Sequence, residues 1–275
     1  MAGAKAVRRP RPKKADQTRS GGAMRVLVVS NQKGGTGKSA VATHLAHSAG
    51  ERGLRVLVVD LDAQANATHN LVATIEPNTL RASALFATRD LPGRPQFTSF
   101  AHVSLIAADE ALSAIDENAR IDEAAPAARL AELANDYDLC VIDTPPTLGK
   151  RLRAALTAAD YVVMPFQPAR ESMDGVEALL RTIDGIRAGA NPRLAYVGFL
   201  ANRVNLQSKS DRELLAAMAE AVGELLLPQH IAERTRIKDA LASMHPVWTR
   251  MRGGSDQVAA MEMKNAMNAV LERVL

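Results

Sequence analysis

Short apolar runs alternate along this chain with longer stretches in which apolar residues recur at helical spacing. The runs at 26–29, 55–60, 103–109, 137–143, 161–165 and 195–200 carry almost no polar interruption, so they read as strands buried on both faces. Between them, 41–49, 111–118, 123–135, 148–159, 173–188 and 211–223 read as helices, with a short helix over 79–86. LPGRPQF reads as a loop, LLLPQHI as a short late strand, and 257–275 as a closing amphipathic helix. Strand and helix alternating throughout predict an α/β fold with a doubly wound, mostly parallel sheet and helices on both faces.

One loop in this series carries chemistry. SNQKGGTGKSA, residues 30–40, follows the first strand and opens the first helix, the order that a phosphate-binding P-loop requires. Gly34, Gly35 and Gly37 leave the backbone amides free to converge on phosphate oxygens, and the helix N-terminus adds partial positive charge. Lys38 is placed for the β- and γ-phosphates and Ser39 for a magnesium ion. Thr36 and Ala40 complete the candidate nucleotide loop. The usual GxxxxGK[ST] pattern fails at its first glycine, which is Gln32, and a second lysine, Lys33, stands at the mouth of the loop.

Three carboxylates fall where strands of such a sheet meet the nucleotide crevice. Asp60 ends the second strand and Asp62 follows in the loop; one can organise magnesium-bound waters while the other orients an attacking water. Asp143 ends YDLCVID and is placed to hold magnesium through water, with Pro145 and Pro146 stiffening the loop beyond it as a candidate γ-phosphate sensor. Asn202, at the end of a late strand, is a candidate reader of the purine edge.

Bulk properties narrow the class. A chain of 275 residues buries about three quarters of its unfolded surface and suits one large domain. Cys140 is the single cysteine and lies in a strand, which leaves no disulfide framework or cluster site and fits a reducing cytoplasm. The six histidines show no metal-ligand spacing. No apolar run approaches a membrane span, and the Met-rich C-terminal end reads as a core or interface helix rather than a membrane anchor. Residues 1–23 read as a disordered basic tail with a local charge of +6, leaving −2 of the chain's +4 for the body at 24–275. Tethering to nucleic acid is one reading of that tail and a plain solvated leader the other. Met24, directly before the first strand, is a candidate second start.

KGGTGKS, VLVVDLDAQANAT, VIDTPP and RTRIKDALASMHPVW together resemble the ParA/Soj family of DNA-partition ATPases, in the deviant Walker group that includes MinD. The resemblance runs from about residue 24 to the C-terminus. It implies ATP and Mg2+ as cofactors, and a homodimer formed on ATP binding in which Lys33 reaches the partner's nucleotide. It further implies Lys33, Lys38 and Asp62 as the residues of hydrolysis, Asp143 on the magnesium side, and non-specific DNA binding through Arg203 and Arg236, to which the local excess of positive charge between residues 228 and 252 adds Arg234 and Lys238. A ParB-like centromere-binding protein would stimulate hydrolysis, and the protein would be cytoplasmic and nucleoid-associated, with no membrane partner. The family's DPQGN is DAQAN here, at residues 62–66, and no DNA-reading domain of the helix-turn-helix kind fits in the 23 residues before the body. The alternatives are a MinD-like membrane-associated positioning ATPase and a relative that positions a protein cluster. A metabolic amidoligase would not need Lys33, and an iron-protein reductase would need cluster cysteines.

Overall fold

A computed structural model describes residues 23–87, 91–169 and 172–275 of the chain. All but one residue of the basic tail therefore lies outside the described residues. Among the described residues eight strands form one sheet: β1 (Arg25–Val29), β2 (Val56–Asp60), β3 (Gln96–Phe97), β4 (Val103–Ile106), β5 (Leu139–Asp143), β6 (Tyr161–Phe166), β7 (Ala195–Val204) and β8 (Leu226–Ala232). Their spatial order is β3-β4-β2-β5-β1-β6-β7-β8, and every pairing is parallel except β3 with β4. Among the described residues the helices are α1 (Lys38–Glu51), α2 (Asn66–Leu71), α3 (Ala125–Glu132), α4 (Lys150–Ala158), α5 (Ser172–Ala188), α6 (Lys209–Val222), α7 (Thr235–Ala242) and α8 (Gly254–Val274).

The sheet divides the core because successive side chains of a strand point to opposite faces. In β1, Val26 and Val28 pack on one side with Leu152 of α4 and Leu179 and Ile183 of α5. Leu27 and Val29 pack on the other with Val41 and Leu45 of α1 and Met267 and Leu271 of α8. Both faces are covered, which is why the strands are continuously apolar. The C-terminal helix α8 buries eight side chains from Ala259 to Val274, so the Met-rich end is core.

Several local expectations change. Residues 79–86 and 111–118 hold short 3-10 turns, Ala82–Phe86 and Glu110–Ala114, instead of helices, and Gln96–Phe97 in the expected loop pairs antiparallel at the sheet edge. β7 runs to Val204, beyond residue 200. α2 and α7 are additional: α2 is too short and too polar to show helical periodicity, and α7 spans only eight residues.

Candidate nucleotide site

β1 ends at Val29 in the middle of the sheet, and the loop that follows is tied down at both ends. Asn31 donates from Nδ2 to the Pro165 carbonyl at 2.6 Å and accepts the Lys33 N–H at 2.9 Å. Gly35 and Gly37 take the left-handed φ values of 76° and 86° that the loop's reversal into α1 demands. A Cβ on Gly37 would also stand 2.2 Å from Asn202 Nδ2. The close approach has a cause: Asn202 donates to the Thr36 carbonyl at 2.7 Å, bracing the loop from β7. Its side chain is thus structural to the P-loop.

Lys38 is buried to 6% exposure. Burial lowers its pKa, while the charges of Asp143 and Asp62 act in the opposite direction. Asp60 and Asp143 are register partners on adjacent strands β2 and β5. Asp60 accepts from the Asp62 N–H at 3.1 Å, the Thr68 N–H at 2.8 Å and the Thr68 hydroxyl at 2.9 Å. Burial raises its pKa to about 6 against those hydrogen bonds. Asp143 is fully buried with neither carboxylate oxygen hydrogen-bonded. Burial, then the charge of Asp60, hold its pKa well above the usual carboxylate range, with Ser39 and Lys38 opposing. A buried acid with two open oxygens beside Ser39 and Lys38 is a donor set that suits a hydrated Mg2+.

Asp62 leaves the strand, as its loop position predicts, and its carboxylate accepts the Gln64 N–H at 3.0 Å. The turn after it keeps a left-handed residue at Ala65 (φ 56°, ψ 31°), which opens α2 although no glycine is present. Asp62, Gln64, Asn66 and Pro146 face Gly34, Gly35, Lys38 and Ser39 across a cleft of about 400 Å³. A smaller cavity of about 170 Å³ adjoins it through Gly35, Gly37 and Ala40, and is lined by Asn202, Ile237, Leu241 and Met263. A cleft walled by the glycine loop, Lys38 and Asp62 beside a smaller, more apolar pocket is the shape a nucleoside triphosphate needs.

Three of the four candidate DNA-binding cations, Arg203, Arg234 and Lys238, line this second cavity. Arg203 (φ 55°) donates to the Gly35 carbonyl at 2.8 Å and pairs with Glu233 at 2.6 Å. Arg234 pairs with Glu262 at 2.7 Å, and Arg236 donates to the Thr249 and Arg250 carbonyls and lies 3.7 Å from Asp256. Lys238 lines the cavity with Arg203 and Arg234, whereas Arg236 lines a neighbouring groove with Asp239, Arg252 and Asp256. Sequence reasoning grouped these residues by charge; their internal acid partners are far away in sequence and gave no local signal. It also missed Arg151 and Asp116, which stand behind the Asp62 wall.

Fold and site define the class: a P-loop nucleotide hydrolase of the doubly wound kind. A family model described as an AAA domain matches residues 24–196. Protein IncC of Escherichia coli is 36% identical over 276 residues, spanning 94% of this chain and 74% of the relative. The chromosome-partitioning ATPase Soj of Thermus thermophilus is 35% identical over 213 residues, 76% of this chain and 82% of the relative. Among solved structures, cobyrinic acid a,c-diamide synthase of Mycobacterium smegmatis with bound ADP and magnesium superposes with a TM-score of 0.73 at 27% identity, covering 90% of this chain and 94% of that one. The chain belongs to the ParA/Soj family of partition ATPases. It is an ATPase, and ATP and Mg2+ are its substrate and cofactor.

Proposed function

We propose that this ATPase drives DNA partition: ATP binding assembles a homodimer that grips DNA without sequence preference, and hydrolysis releases it. Residues 24–275 form the ATPase domain, preceded by the basic tail at 1–23. Lys33 crosses to the partner's nucleotide, where a cation offsets the repulsion of two facing triphosphates and the charge that develops during transfer. Lys38 holds the β- and γ-phosphates, and Asp62 orients water for in-line attack. Bound Mg2+ neutralises phosphate charge; Ser39 would hold it directly, and Asp143 and Asp60 through water, Asp60 also steadying the loop beside them. Arg203, Arg234, Arg236 and Lys238 contact DNA phosphates, and a ParB-like centromere-binding partner stimulates turnover on the nucleoid in the cytoplasm.

The observation that carries this reading is the 2.8 Å hydrogen bond from Arg203 to the Gly35 carbonyl. It joins the phosphate loop to the basic segment, so a nucleotide that resets the loop also resets that segment. A MinD-like membrane reading would need a detachable C-terminal helix, whereas α8 is packed into the core. No described helix is long and apolar enough to cross a membrane. Light scattering with ATP, ADP and no nucleotide tests the assembly step. A dimer only with ATP, lost in Lys33→Ala, is expected; a monomer in every state would overturn the proposal.

A further inference from the structure

A hydrogen-bonded ion pair outside the nucleotide cleft holds its far wall in place. Arg151, in the first turn of α4, is 7% exposed, and its guanidinium divides between two tasks. Nη2 and Nε grip Asp116 Oδ2 at 2.9 and 3.2 Å, and Nη1 donates to the Leu61 carbonyl at 3.2 Å. Asp116 uses its other oxygen to accept the Arg151 backbone N–H at 3.0 Å, and Oδ2 also accepts the Thr147 hydroxyl at 3.3 Å. The fit is close enough that Gly149 is required: a Cβ there would lie 2.4 Å from the Asp116 carboxyl carbon.

The groups this pair holds are adjacent to the chemistry. Leu61 is the residue between Asp60 and Asp62; its N–H donates to the Asp143 carbonyl at 2.9 Å, so with Arg151 both edges of that residue are fixed. Thr147 directly follows Pro146, which lines the cleft opposite the P-loop together with Asp62. Burial works to raise the pKa of Asp116, yet the hydrogen bonds and charge of Arg151 outweigh it and leave the carboxyl below its ordinary value. Asp116 is therefore held in its ionised form, and the geometry of the pair is fixed by a planar fork that only arginine supplies.

We propose that Arg151 and Asp116 are positioning residues for hydrolysis, which set Asp62 and the 144–147 loop against the γ-phosphate without touching the nucleotide. This rests on the role given above to Asp62. A misplaced water-orienting carboxylate costs rate while leaving the P-loop's hold on phosphate intact.

The test is single-turnover hydrolysis of bound ATP, measured beside the affinity for a non-hydrolysable ATP analogue and the melting temperature. Arg151→Met should slow hydrolysis about ten-fold or more while analogue affinity stays within about two-fold. Because that variant leaves Asp116 half-buried and unpaired, it should also melt lower. Asp116→Asn combined with Arg151→Met removes both charges and should recover melting temperature without recovering rate. Recovery of rate together with stability would make the pair a purely structural brace and overturn the proposal, as would a wild-type rate in Arg151→Met. Asp62→Ala distinguishes the two layers: if it hydrolyses ATP at the wild-type rate, the reading of Asp62 itself is what fails.

Discussion

Asp60 and Asp143 stand on the same rung of two neighbouring parallel strands, yet Asp60 accepts three hydrogen bonds and Asp143 accepts none. One carboxylate is spent on building the loop that carries Asp62; the other is held open. Asp60→Asn should therefore destabilise the chain by about 1–3 kcal/mol through the lost contacts to Thr68 and Asp62. Asp143→Asn removes a carboxyl whose ionised form is penalised by burial and by Asp60 and only partly offset by Ser39 and Lys38, so it should cost little stability without nucleotide. It should lose the extra thermal stability that Mg2+ adds to nucleotide, and hydrolysis with it. Melting curves with and without Mg-ADP separate the two.

Ala65 occupies a left-handed conformation at the entry to α2, where the family's DPQGN carries glycine. The strain of an L-residue there is about 1–2 kcal/mol, partly offset because glycine is more flexible when unfolded. Ala65→Gly should therefore raise stability by about 0.5–1 kcal/mol, measured by urea denaturation.

His44 and His47 lie buried on α1 beside Phe100 and Trp248. Burial lowers their pKa values to about 4 and about 3. The folded state thus holds fewer protons than the unfolded chain below the ordinary histidine value of about 6.5. Their contribution to stability is complete above that pH and falls as pH drops toward 4. Neither ring nitrogen of His47 has a partner, so His47→Phe should flatten this acid limb at no cost near pH 7.5. His44 accepts the Val247 N–H at 3.1 Å and bonds the Ala40 carbonyl at 2.7 Å, so His44→Phe should cost about 1–3 kcal/mol even at neutral pH. Unfolding free energies at several pH values decide both.

Glu233 holds Arg203 in an exposed pair, and such pairs contribute about 0–1 kcal/mol. Glu233→Gln should leave stability nearly unchanged while releasing a cation toward DNA. Nucleotide-free binding to a random duplex should strengthen, and its salt dependence should steepen by about 0.9 in log–log slope. Fluorescence anisotropy across a salt series measures this.

The strands and most long helices were legible because each obeys one periodicity, and KGGTGKS fixed the site because strand, loop and helix had to arrive in order. The 3-10 turns at Ala82–Phe86 and Glu110–Ala114 were not, since alanine-rich spacing favours helix and only tertiary packing shortens it. That shortening matters: it leaves Asp116 in a loop, free to face Arg151. Contacts between residues as distant as Leu61 and Arg151, or Arg203 and Gly35, leave no mark on local pattern. The basic segment was found by charge, but its engagement with Glu233, Glu262 and Asp256 required the fold.

Binding to a random-sequence duplex with ATP, ADP and no nucleotide tests the central claim most directly, for the full chain and for a version beginning at Met24. ATP should tighten binding in both, and Arg236→Ala should abolish the ATP-dependent part. Binding that ignores nucleotide and disappears with residues 1–23 would contradict an ATP-gated grip on DNA by the folded body.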